Sequence, residues 1–165
     1  MSTEAGPPLH PGLARVAWLL GTWRGEGVGG YPTVGDFRYG QEMSFSHSGT
    51  DVIAYASRTW GLDGERAGRP MAAETGWWRP QPDGSIELLL AHPTGILELY
   101  VGEVTGAKIE LRTDAVVRSG SAKEVTAGHR LYGLVEGSLM YAVDLAAVGQ
   151  PLQPHLSARL ERAAG

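Results

Sequence analysis

The chain has 165 residues, 42% of them hydrophobic, with a formal charge of −4 and no cysteine. That length fits one domain around one core, and the acidic balance offers no basic field for nucleic acid or an anionic membrane surface. The lack of cysteine excludes disulfides, thiolate metal sites and iron–sulfur ligation, and is compatible with a reducing cytoplasm.

No basic segment followed by a long apolar run stands near the N-terminus, so no signal peptide is expected. No apolar run nears the roughly 20 residues of a membrane span. Met1 to Pro11 is polar and proline-rich and reads as a loose tail. Leu13 to Leu20 places Leu13, Val16, Ala17 and Leu20 on one helical face, with Pro11 near its start. This short helix is placed to close one end of a barrel.

Gly21 to Thr33 follows, with glycines at 21, 25, 27, 29 and 30. Glycine weakens an ordinary strand, so repeated glycines in an extended run suggest sharp bending or close backbone approach. Trp23 would plug one barrel end, and Tyr31-Pro32-Thr33 would leave the strand through a fixed turn. Asp36 to His47 alternates Phe37, Tyr39, Gln41, Met43, Phe45 and His47 against a polar face, the period of a half-buried strand.

Further strands are expected over Asp51–Trp60, Met71–Arg79, Ser85–Ala91, Ile96–Glu103, Lys108–Thr113, Asp114–Arg118, Ala122–Val135 and Ser138–Val148. Strong turn signals separate several of them, notably Pro80-Gln81-Pro82-Asp83-Gly84 and His92-Pro93-Thr94-Gly95. Pro151 and Pro154 stop the last of these strands. Leu156 and Leu160 recur at helical spacing, so Pro154 to Ala163 reads as a short helix. About ten short strands at near-regular spacing mark a single all-β domain over 1–165, either a closed up-and-down barrel or a sandwich.

Five histidines are candidates for chemistry. His10 lies in the tail. His47 ends a strand. His92 precedes Pro93 and reads as a turn residue. His129 shares a strand face with Lys123, Val125, Ala127 and Leu131. His155 differs, because Pro151 and Pro154 restrict its approach, as suits an axial metal ligand. No histidine pair has metal-site spacing, and no Gly-x-Ser-x-Gly elbow occurs. Gly25-x-Gly27-x-x-Gly30 matches a dinucleotide fingerprint, but no helix follows it, so that reading is rejected.

Gly21-Thr22-Trp23-Arg24-Gly25-Glu26-Gly27, followed by Gly30-Tyr31-Pro32-Thr33, resembles the Gly-x-Trp-x-Gly-x-Gly signature of the nitrobindins. The resemblance continues through Glu74-Thr75-Gly76, Ala91-His92-Pro93-Thr94-Gly95, Ala122-Lys123-Glu124-Val125-Thr126 and Pro151-Leu152-Gln153-Pro154-His155-Leu156. It implies a closed antiparallel barrel of about ten strands with short terminal helices, similar in shape to fatty-acid-binding proteins and lipocalins. It also implies one ferric haem b per chain, with His155 as axial iron ligand, Thr33 and Lys123 at the haem site, and Met71, Ala72 and Leu145 as an apolar distal wall. Some nitrobindins carry histidine where Ala72 stands.

The implied activity is isomerisation of peroxynitrite to nitrate, with reversible nitric oxide binding, by a cytoplasmic monomer or homodimer that contacts neither nucleic acid nor membrane. Two other classes fit the residues. One is a carrier of fatty acid or another apolar ligand, which a buried Arg–Tyr carboxylate clamp would favour. The other is a sensor of nitric oxide or peroxynitrite that signals through a partner.

Overall fold

A computed structural model describes residues 5–164. Of the expected tail, Met1 to Glu4 lie outside the described residues, and Ala5 to Leu9 are exposed. Ten antiparallel strands form a closed barrel. They are β1 (Gly21–Tyr31), β2 (Val34–Ser46), β3 (Ile53–Gly61), β4 (Pro70–Pro80), β5 (Ser85–His92), β6 (Ile96–Thr105), β7 (Lys108–Arg118), β8 (Val125–Val135), β9 (Ser138–Ala147) and β10 (Gln153–Arg162). Each strand pairs with its sequence neighbours, and β10 pairs with β1 to complete the ring. Closure removes both free edges, so no strand is left as a template for aggregation.

Three expectations are corrected. The C-terminal segment is strand β10, not a helix. A separation of four satisfies both periods, and Ala158 decides between them: Leu156, Ala158 and Leu160 line one face while Ser157, Arg159 and Glu161 are exposed. The barrel also demands this strand, because β1 and β9 each need a partner on that side. Lys108–Thr113 and Asp114–Arg118 are one strand, since Asp114 is the extra residue of a bulge between the Leu99–Ala115 and Tyr100–Thr113 pairs. The N-terminal helix is a three-ten helix over Pro11–Leu19, and it buries Leu13, Val16 and Leu19. That is the three-residue repeat its geometry requires. His10 caps it by accepting from the Gly12 N–H at 2.9 Å.

This helix seals one end of the barrel. Trp23 is fully buried beneath it, donates its indole N–H to the Leu19 carbonyl at 2.9 Å, and lies 4.2 Å under the Arg162 guanidinium. Trp78, Ile53, Ile86, Leu88, Ile109, Leu111 and Leu160 fill the lumen behind it. Gly25 and Gly27 alternate with exposed Arg24, Glu26 and Val28 and face this interior. At Gly27 a Cβ would run into the Tyr39 ring, and at Gly25 into the Arg159 carbonyl of β10. The opposite end, where odd-numbered strands finish and even-numbered strands begin, has no such plug among the described residues.

Substitution on β10 checks the strand assignment. Leu160→Ala should cost about 2–5 kcal/mol, because it empties a fully buried site. Ser157→Ala on the outer face should stay within about 0.5 kcal/mol, both read by urea unfolding.

Candidate functional site

The antiparallel connectivity brings all six predicted pocket residues to the unsealed end. Thr33 is in the β1–β2 turn and Lys123 in the β7–β8 connection, both exposed on the rim. Met71 and Ala72 begin β4. The pairs Arg58–Ala73 and Trp60–Pro70 leave both opposite Thr59, whose hydroxyl accepts from the Ala72 N–H at 3.0 Å. Leu145 is half-buried on β9, paired with Gln153 of β10. The glycine–tryptophan motif residues Gly21, Trp23, Gly25 and Gly27 belong to the sealed half and the β1–β10 seam.

His155 sits where β10 breaks register. Pro154 pairs with Asp144 and Leu156 with Val143, so His155 is the extra residue of a bulge. Bulges re-aim a side chain in this way. Its Nδ1 is 3.1 Å from the Gly30 carbonyl oxygen. A carbonyl only accepts, so Nδ1 carries the proton and Nε2 keeps its lone pair. The ring also meets Tyr31 edge to face, with centroids 5.4 Å apart. Tyr31 is itself anchored: its hydroxyl donates to the Leu145 carbonyl at 3.0 Å and accepts from the Ala147 N–H at 2.9 Å. Thus β1 fixes the imidazole's tautomer and tilt, and β9 fixes β1.

Below the mouth the lumen is polar. Arg130 on β8 forms a two-pronged pair with Glu74 on β4, 2.9 Å at each contact, and donates to the Tyr132 hydroxyl at 3.0 Å. The Tyr55 hydroxyl donates to Glu74 at 2.7 Å. Glu98 on β6 accepts from the Tyr100 hydroxyl at 2.8 Å and stands 3.8 Å from Arg130. Burial alone would raise both carboxyls. The Arg130 charge and hydrogen bonds hold Glu74 below the ordinary value, and the His92 hydrogen bond with the Arg130 charge does the same for Glu98. Tyr132 is pushed up to about 12 by burial, so it stays a neutral hydroxyl. A second chain of hydrogen bonds joins Tyr39, Tyr141, Gln41 and Ser57.

His92 is not the turn residue expected. It ends β5, and its Nε2 lies 2.5 Å from Glu98 Oε1.

A model of the family described as "THAP4-like, heme-binding beta-barrel domain" matches residues 12–162. A Salinispora arenicola protein called "Peroxynitrite isomerase" is 54% identical over 168 residues, covering 98% of this chain and 86% of that protein. A Kineococcus radiotolerans protein called "Ferric nitrobindin-like protein" is 46% identical over 166 residues, covering 91% of this chain and 92% of that protein. The crystal structure of Rv2717c from M. tuberculosis superposes with a TM-score of 0.87 at 41% identity, covering 95% of this chain and all of that one. The chain belongs to this haem-binding barrel family, the nitrobindins.

The residues of this nitrobindin fit the family's cofactor. A neutral imidazole whose Nδ1–H is held by a carbonyl is the arrangement that prepares Nε2 for a metal. The prolines before it and the resemblance both pointed to His155. Neither gave a role to Gly30, Tyr31, Glu74, Glu98 or Arg130, which come together through the register of strands distant in sequence. One signal was available: Glu98 and Arg130 occupy inward positions in strands whose other inward residues are mostly apolar.

The buried charges of this nitrobindin make its stability pH-dependent in a defined sense. Glu74 and Glu98 both titrate below the ordinary value of 4.5 in the fold. Their contribution is therefore complete above that pH and is lost as the pH falls through the folded values. Arg130→Met should cost about 3–5 kcal/mol at pH 7, because it strands two buried carboxylates. Its deficit should shrink on acidification, whereas wild type should lose stability. Urea midpoints across pH 7 to 3 read both slopes.

Proposed function

We propose that this nitrobindin holds one ferric haem b per chain at the unsealed end and isomerises peroxynitrite to nitrate, with reversible nitric oxide binding. The observation that carries the reading is His155, bulged out of β10 with Nδ1 committed to the Gly30 carbonyl. Relatives at about half identity over nearly the whole chain carry the name peroxynitrite isomerase, which supports the same reading. His155 Nε2 would hold the haem iron in this proposal. Thr33 and Lys123 hold the polar edge of the cofactor at the rim, and Met71, Ala72 and Leu145 bound the space beside it. Ferric haem, when bound, would supply Lewis-acid activation of the substrate. The chain orients the cofactor, excludes bulk water from the lumen and shuts out large substrates.

A fatty-acid carrier needs a vacant cationic clamp in the barrel. Arg130, Tyr132 and Tyr55 form such a clamp, but Glu74 of the chain occupies it through two hydrogen bonds at 2.9 Å. That filling weighs against the carrier reading. Among the described residues no helix is long and apolar enough to cross a membrane. Work in the cytoplasm, as a monomer or homodimer, completes the proposal.

The test adds hemin to purified protein and then challenges it with peroxynitrite and free tyrosine. Wild type should develop a Soret band and lower nitrotyrosine in proportion to ferric protein. His155→Ala should remain folded, lose high-affinity haem and give no protection. Equal protection by apoprotein would mean that ordinary side chains are merely being oxidised, and would sink the enzyme reading.

A further inference from the structure

The barrel order sets β5 five ladder steps from β10 in either direction, so the two strands are diametrically opposed. His92 is the last residue of β5 and His155 the third of β10, and both belong to the unsealed end. The mouth therefore carries two half-buried histidines on facing walls. The register sets His92 beside Glu74, one inward step below Ala72. Its ring stands in front of a buried carboxylate: Nε2 is 2.5 Å from Glu98 Oε1, and the Glu98 side chain is only 4% exposed. Since an ionised carboxylate only accepts, Nε2 holds the proton. Nδ1 is 3.8 Å from Glu74 Oε2, beyond hydrogen-bond reach, and remains free. Glu98 is fixed in turn by Tyr100 and Arg130. This is an imidazole oriented by a carboxylate, the arrangement of a general base.

Charge supports the same role. The groups around His92 are Glu74, Glu98 and Arg130, with Tyr55, Tyr100 and Tyr132 neutral behind them. Two carboxylates face one guanidinium, so the surroundings of His92 carry an excess of one negative charge. The excess negative charge also repels an anion, and the chain as a whole carries −4. A neutral acid enters such a mouth more readily than its conjugate base.

We propose that His92, held by Glu98 as positioning residue, is the base on the wall opposite His155, and that it takes the proton of peroxynitrous acid in the pocket. The O–H bond of the acid breaks, its electron pair stays on that oxygen, and an N–H bond forms at Nδ1. The rearrangement to nitrate moves no electron in or out, and the proton passes to solvent after nitrate leaves. This rests on the haem reading above.

Cyanide tests it without turnover, because hydrogen cyanide is a neutral acid that binds ferric haem as an anion. Nitric oxide carries no proton and serves as the control for access. In stopped-flow Soret measurements on the ferric holoprotein at pH 7, His92→Leu and His92→Gln should slow cyanide association by about tenfold or more. Glu98→Gln should slow it less, and nitric oxide association should be unchanged in all three. Equal slowing of both ligands would make His92 a shaper of access and overturn the proposal. Unchanged cyanide rates would overturn it too, as would loss of the Soret band in both folded His92 variants, which would make His92 a haem-holding residue. Failure of wild type itself to bind haem would instead fall on the haem reading.

Discussion

Everything in this barrel depends on the seam where the last strand meets the first. Without β10, strands β1 and β9 would each expose an unpaired edge. The seam also explains Gly25. At Gly25 a Cβ would collide with the β10 backbone, so the close approach of the two strands demands a residue without a side chain. The same seam carries His155 at its mouth end and Leu160 in the core, so closing the fold and building the candidate site are one event.

The interior is divided by chemistry along its axis. Near the sealed end it is hydrocarbon and aromatic, stacked around Trp23 and Trp78. Towards the mouth it becomes a hydrogen-bonded polar layer in which tyrosine hydroxyls, Gln41 and Ser57 satisfy one another and Arg130 offsets buried acids. A buried ion pair contributes little net stability, because desolvation opposes the attraction. Its effect here is geometric. It ties β4 to β8 across the lumen and fills a cationic fork that could otherwise take up a foreign carboxylate.

How much of this was legible in the sequence varies with the range over which the information acts. Alternation in β2 is local, and it disclosed a strand with a buried face, while turn signals at Pro80–Gly84 and His92–Gly95 disclosed the strands they separate. The glycine run disclosed an irregular first strand. The C-terminal segment misled because Leu156 and Leu160, four apart, obey both periods, and Ala158 is too small to break the tie by hydrophobicity. The break at Asp114 misled because a bulge looks like a turn when only one strand is visible. In the site, His155 stood out through its prolines and its family resemblance. His92 did not, because the proline after it signals a turn, and nothing local shows that Glu98 is placed to receive its ring.

The ladders of this barrel are interrupted at five places, near Gly30, Thr59, Asp114, Thr126 and His155, and each lies towards the unsealed end. The half around Trp23 and Trp78 keeps continuous register. The two halves therefore differ in cooperativity. Opening events that begin at the interrupted rungs need break only short runs of hydrogen bonds before reaching the next irregularity, while the continuous rungs open together with the whole fold. The barrel can thus admit a large flat guest by breathing at its rim without unfolding its base, and loading becomes a step that follows folding rather than a condition for it.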